Sequence, residues 1–171
     1  MTELGPVTVT CEGVAAETPL TEMVQAFSVF ANRGDSAPLH IIRSIKDKRG
    51  NILFDDSVHK TVSVLDPRIA YQITSILSDV SVRPNSFWQQ VLSVNGMQAA
   101  AKTGTSNKCL ANNPDGSCKD RKPSDLWTIG YTPALIAGVW VGNADSSALS
   151  VKAEALSTAA PLWKTFMTKA H

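Results

Sequence analysis

Gln98-Ala99-Ala100-Ala101-Lys102-Thr103-Gly104-Thr105-Ser106, then Asp125-Leu126-Trp127-Thr128-Ile129-Gly130-Tyr131, then Ala134-Leu135-Ile136-Ala137-Gly138-Val139-Trp140-Val141-Gly142: these three runs decide how the chain folds. The last two carry β-branched and aromatic residues that fit a pleated, half-buried surface. Only Thr132-Pro133 lies between them, a connection short enough to favour an antiparallel hairpin. A small antiparallel sheet is therefore the expected centre of the molecule.

Helical patterns flank that sheet. Downstream, residues 153–169 place Leu156, Trp163, Phe166 and Met167 where they can cover it, with Pro161 either starting or kinking the helix. Upstream, Thr18 suits a helix N-cap and Pro19 the first helical position, and Leu20, Met23, Phe27, Phe30 and Ala31 follow at helical spacing. Gly34 closes that helix as a C-terminal cap. Residues 39–45 and 51–54 read as a hairpin around Asp47-Lys48-Arg49-Gly50. A second helix opens at Asp66-Pro67, shows Ile69, Ile73, Ile76, Leu77 and Val80 on one face, and ends near Arg83-Pro84. Residues 6–11 alternate like an extended lead-in, and no internal repeat is present. The fold class is α+β, an antiparallel sheet packed by helices.

Bulk properties exclude several function classes. With 16 basic against 15 acidic residues, no field exists to concentrate a polyanion, so no nucleic-acid partner is expected. The apolar runs are short and interrupted, which gives no membrane span in this chain. Met1-Thr2-Glu3-Leu4-Gly5-Pro6 has neither a basic nor an apolar leader region, so an export signal is expected elsewhere in a parent protein. Three cysteines occur, at positions 11, 109 and 118. Cys109 and Cys118 bracket a turn-rich segment, and two readings stand: a disulfide formed in an oxidising compartment, or two plain loop thiols. Two cysteines without a nearby histidine cannot complete a zinc site, and residues 112–120 lack the spacing of a calcium loop. Neither metal nor cofactor is called for.

The motif that carries chemistry is Lys102-Thr103-Gly104-Thr105. A lysine on a strand offers a fixed positive charge, the Thr103 and Thr105 hydroxyls can bind a carboxylate, and Gly104 leaves room for a substrate backbone. Three letters alone recur by chance, so context matters. Ala101-Lys-Thr-Gly-Thr-Ser, Asp125-Leu-Trp-Thr-Ile-Gly-Tyr-Thr-Pro, Ala137-Gly-Val-Trp-Val-Gly-Asn and Ala159-Ala-Pro-Leu-Trp-Lys-Thr-Phe-Met together resemble the end of a class A, high-molecular-weight penicillin-binding protein. Upstream, Glu17-Thr-Pro-Leu-Thr-Glu-Met and Phe30-Ala-Asn-Arg-Gly belong to the same resemblance, which covers nearly the whole chain in the family's order.

This resemblance implies a partial penicillin-binding, serine β-lactamase-like fold, with residues 1–171 as the C-terminal portion of a single transpeptidase domain. It implies serine acyl transfer that cross-links peptidoglycan stem peptides. Lys102 and Thr105 would be catalytic: Lys102 supporting the proton network, the Thr105 backbone N–H stabilising an oxyanion. Lys102, Thr103, Gly104 and Thr105 would bind the stem peptide or a β-lactam laid along the strand edge. The implied partners are those ligands and the remainder of the transpeptidase domain. The implied location is the periplasm or the outer face of the cytoplasmic membrane. The family's S-x-x-K and S-x-N motifs precede the matched region, so the chain is expected to be inactive alone, with an exposed sheet edge that promotes dimerisation or poor solubility.

Ser57-Val58-His59-Lys60 spells S-x-x-K without a helix starting at Ser57, and Ser93-Val94-Asn95 spells S-x-N only seven residues before Lys102. Both read as coincidences. His40, His59 and His171 show no ligand spacing and no triad arrangement. Trp127 and Trp140 read as core packing in preference to a groove border. Asp120 to Asp125, with Arg121 and Lys122 between, reads as a solvated loop. The competing readings are a non-catalytic stem-peptide-binding module, or a half-domain that complements a separate N-terminal chain. A complete serine β-lactamase would need a nucleophile and a deacylating carboxylate that find no place here. A phosphate-binding loop is excluded because Lys-Thr precedes the glycine.

Overall fold

The structure is a computed structural model that describes residues 18–56 and 60–171. The extended reading of residues 6–11 lies outside the described residues, as do Cys11, Ser57 and His59. In chain order the elements are α1 (Leu20–Ala31), β1 (Asp35–Ser36), β2 (Ser44–Lys46), β3 (Ile52–Asp55), β4 (Val62–Ser63), α2 (Pro67–Ser78), α3 (Ser86–Val91), β5 (Ala100–Asn112), β6 (Cys118–Tyr131), β7 (Ile136–Gly142) and α4 (Ala159–Ala170).

The principal sheet is antiparallel, in the order β5-β6-β7. Its pleat sorts side chains by parity, because opposed residues share a face. Leu126, Thr128 and Gly130 face α4, where Leu126 packs with Ala155 and Ala159, and a Cβ on Gly130 would strike Trp163. Trp127 and Ile129 face the other way, toward α1, where Val24 and Leu20 press on Gly138 beside Ile129. α2 joins α1 on this face through a hydrogen bond of 2.8 Å between the Thr74 and Tyr131 hydroxyls. The architecture is helices, sheet, helices, with the core between the sheet and α4: Ala160, Trp163 and Met167 against Val91, Leu92, Val94, Ala99 and Ala101.

The α+β reading is borne out, and several boundaries move. Pro19 sits at the N-cap and α1 starts at Leu20, one residue later than expected; the Pro19 carbonyl accepts the Glu22 and Met23 N–H groups at 3.1 and 3.2 Å. Asp66 caps α2 by accepting from Arg68 N at 2.8 Å, but α2 stops at Ser78 rather than near Arg83. The reason is local: Asp79 accepts from both the backbone N–H and the hydroxyl of Ser81, which turns the chain. Periodicity did not reveal α3, whose six residues are too few for a repeat; Asn85 starts it by accepting from Phe87 N and Trp88 N. Pro161 lies in the first turn of α4 and so starts that helix.

The largest correction concerns residues 107–124. Expected as a loop, they form a two-stranded ribbon, because β5 and β6 stay paired beyond Ser106 as far as Asn112 and Cys118. Both faces of its outer part are largely exposed, so no apolar alternation marks these strands in the sequence. The solvated loop expected at Asp120 to Asp125 is thus part of β6. The hairpin at residues 39–54 forms as β2 and β3, with Ile45, Ile52, Leu53 and Phe54 exposed. Among the described residues, the outer edges of β5 and β7 pair with no further strand.

Candidate functional site

A groove of about 940 Å³ runs between the β5-β6-β7 sheet and α1. Lys102, Thr103, Gly104, Ser106, Asn107 and Lys108 line it from β5. Among the described residues β5 is an edge strand, so this wall of the groove has a backbone edge that none of them pairs with. Lys102, Gly104 and Ser106 stand opposite Ile129, Trp127 and Asp125, on the α1 face. Thr103 and Thr105 stand opposite Thr128 and Leu126, on the α4 face. The four motif residues thus present a cation and an open position on one side of the edge and two hydroxyls on the other. Only a ligand lying in the plane of the sheet touches all four. A Cβ at Gly104 would meet nothing closer than the Trp127 Cβ at 3.7 Å, so the glycine is not demanded by internal packing.

Lys102 donates to the neighbouring Thr103 carbonyl and forms no ion pair with a carboxylate among the described residues. Lys108 donates to the Ser146 carbonyl at 2.7 Å, which ties the ribbon to the loop after β7. Asp145 in that loop is held below the usual carboxylate range, first by hydrogen bonds from Ser147 and also by the nearby Lys108 charge. Trp127 and Trp140 face each other across β6 and β7, and both line the groove, so core packing is not the role of this pair. The Trp140 ring lies over Gly142, where a Cβ would come within 2.4 Å of it, and its Nε1–H donates to Asp125 Oδ1 at 3.0 Å.

The start of β5 is clamped by a residue that the sequence did not single out. Arg83, 8% exposed, donates to Ser93 Oγ at 3.0 Å and to the carbonyls of Leu77 and Ala99 at 3.4 Å. Burial lowers its pKa, and the charge of Asp79 opposes that shift. Ser93 also donates to the Gln89 carbonyl, so its hydroxyl serves this clamp. His40 pairs with Asp56, and His171 bonds Thr132 at 3.0 Å; neither lines the groove. No group of side chains suited to a metal ion occurs among the described residues. No helix among them is long and apolar enough to cross a membrane.

Cys109 and Cys118 are joined as a disulfide, with Cα atoms 5.7 Å apart. The bridge staples the ribbon a few residues beyond the lysine motif. Closing a loop with a sequence separation of 9 stabilises the ribbon by about 2–3 kcal/mol on chain-entropy grounds. Alkylation without reductant is expected to modify Cys11 alone. Reduction should speed amide exchange at residues 107–120 on the order of tenfold to a hundredfold, leaving α4 unchanged. Equal exchange before and after reduction would remove the bridge from the account.

What the fold and groove define is a helix-covered antiparallel sheet with a lysine-bearing free edge above a mixed apolar and polar groove. A family profile described as penicillin-binding protein transpeptidase domain matches residues 13–168. The chain belongs to that transpeptidase-domain family, as a portion of such a domain of the class A type. Penicillin-binding protein 1A of Rickettsia bellii is 29% identical over 177 residues, covering 91% of this chain and 20% of the relative. Penicillin-binding protein 1A of Clostridium botulinum is 32% identical over 149 residues, covering 87% of this chain and 16% of the relative. The chain thus spans about a fifth or less of these curated relatives. Among solved structures, PonA1 of Mycobacterium tuberculosis in complex with penicillin V superposes with a TM-score of 0.68 at 23% identity, over 88% of this chain and 38% of that one. Penicillin-binding protein 3 of the same organism, complexed with ampicillin, gives 0.64 at 22% identity, over 90% and 34%. These likenesses establish the partial penicillin-binding fold.

Proposed function

We propose that these residues form the substrate-binding strand and groove of a peptidoglycan DD-transpeptidase that also binds β-lactams. The observation that carries this reading is Lys102, without a carboxylate partner among the described residues, beside the open Gly104 position on the free edge of β5. A peptide docks there as an added strand, its terminal carboxylate against the Lys102 ammonium and the Thr103 and Thr105 hydroxyls. Acyl transfer then needs a serine supplied by a segment outside these residues. Its Oγ bonds to the penultimate D-Ala carbonyl carbon while the Thr105 N–H receives the developing oxyanion. The terminal D-Ala leaves with its nitrogen protonated, and the amine of a second stem peptide displaces the serine to form the cross-link. The whole protein works outside the cytoplasmic membrane, where its substrate lies.

Intact mass after incubation with excess benzylpenicillin should show no adduct on this chain. An adduct that disappears in Ser57→Ala would place the nucleophile within these residues and overturn the division of labour. Reversible binding of penicillin, followed by amide shifts along residues 102–107, should weaken about 10- to 100-fold in Lys102→Gln through loss of a charge-assisted contact. Gly104→Ala should melt like the wild type, since the added methyl meets only ordinary contact inside the protein, yet bind ligand more weakly. Unchanged binding in both variants would sink the assignment of this edge.

A further inference from the structure

Asp125 is the single acidic side chain that lines the groove among the described residues. Its carboxylate is held from two sides: Oδ1 accepts from the Trp140 indole at 3.0 Å and Oδ2 from the Ser124 hydroxyl at 2.8 Å. Both donors are neutral, so they orient the carboxylate and leave its charge in place; each oxygen keeps further acceptor capacity. The ion pairs among the described residues are His40 with Asp56 and Arg68 with Asp66, so no cation among those residues neutralises Asp125. Of the two groove lysines, Lys102 reaches the Thr103 carbonyl and Lys108 the Ser146 carbonyl. A fixed carboxylate without a cationic partner among the described residues, in a groove otherwise lined by two lysines, hydroxyl and amide groups and apolar and aromatic side chains, is a feature that a ligand can complete.

Its position in the register says which part of a ligand that is. Asp125 stands opposite Ser106, on the same face as Gly104 and Lys102. A ligand strand on the free edge of β5 lies two strand spacings, about 10 Å, from β6. A ligand residue level with Ser106 can lay a long side chain across that small serine and reach Asp125, whereas one level with Lys102 cannot. The recognised group is therefore a cation on a flexible stem, several residues from the carboxylate that Lys102 holds.

We infer that Asp125 reads a primary ammonium at the end of a lysine-like side chain on the bound peptide, so that the groove prefers stem peptides whose side-chain amine is free. This rests on the function proposed above and deepens it. The test uses the 171-residue chain and two soluble peptides ending in D-Ala-D-Ala, identical except that the side-chain amine of one is acetylated. Wild type should bind the free amine about 3- to 10-fold more tightly than its acetylated counterpart. In Asp125→Asn, which keeps an oxygen acceptor for the Trp140 indole, that preference should vanish. Equal affinities in the wild type, or a preference that survives in Asp125→Asn, would overturn the inference. Loss of both affinities in the variant would overturn it too, by showing that the residue acts through the placement of Trp140. If neither peptide binds the wild type, the proposed function itself fails.

Discussion

Trp163→Ala is expected to cost about 3–5 kcal/mol, the range for truncating a large buried aromatic. Trp163 is fully buried and forms the centre of the layer between α4 and the sheet. Its ring rests on Gly130, where even a Cβ would come within 2.4 Å of it, so the surrounding backbone is shaped to this side chain and cannot close the vacated space. The indole N–H also donates to the Ala137 carbonyl at 3.2 Å, which links α4 to β7. For a chain of this size the apparent Tm should fall on the order of 10 °C. Trp163→Phe should lose less, because it retains most of the ring volume. A shift below about 3 °C for the alanine variant in a thermal melt followed by circular dichroism would mean that α4 is not the layer that holds the sheet.

The second large effect is Gly34→Ala, expected to destabilise by about 3 kcal/mol or more from backbone strain plus a clash that cannot relax. Helix α1 ends with Gly34 N–H on the Val29 carbonyl at 2.7 Å and Arg33 N–H on the Phe30 carbonyl at 3.3 Å, the paired bonds of a Schellman ending. Gly34 has φ +100°, and a Cβ there would lie 2.0 Å from the Leu65 carbonyl oxygen. That oxygen is backbone, and its segment is pinned because Val64 and Leu65 N–H both donate to the Gly34 carbonyl, at 3.0 and 3.1 Å. Gly50→Ala supplies the control: φ is +86° there but nothing lies within 4 Å, so only the left-handed penalty of about 1–2 kcal/mol remains. Equal urea midpoints for the two variants would show that the contact with Leu65 carries no energy.

Part of the site was readable from local pattern. The lysine motif lies on a strand, the two following strands form the predicted hairpin, and Cys109 and Cys118 are bridged, one of two readings left open. Other parts had no local signal. Arg83 reads as an ordinary polar residue before a proline, and only the convergence of α2, α3 and the start of β5 turns it into a buried clamp. Asp125 read as part of a solvated loop because the ribbon strands around it expose both faces. Trp127 and Trp140 read as core because large aromatics are more often buried than lining a groove.

What the sequence determined by itself was the class of the fold, the β2-β3 and β6-β7 hairpins and the family motif, because turn chemistry, strand pleat and helix capping act over a few residues. Tertiary structure alone decided which face each side chain meets, where the groove runs, and that Asp125 and Trp140 line it together with Lys102 and Lys108. Those relations join residues far apart in the chain. They are set by how α1 and α4 pack on opposite faces of the sheet, and short-range propensity carries no record of that packing.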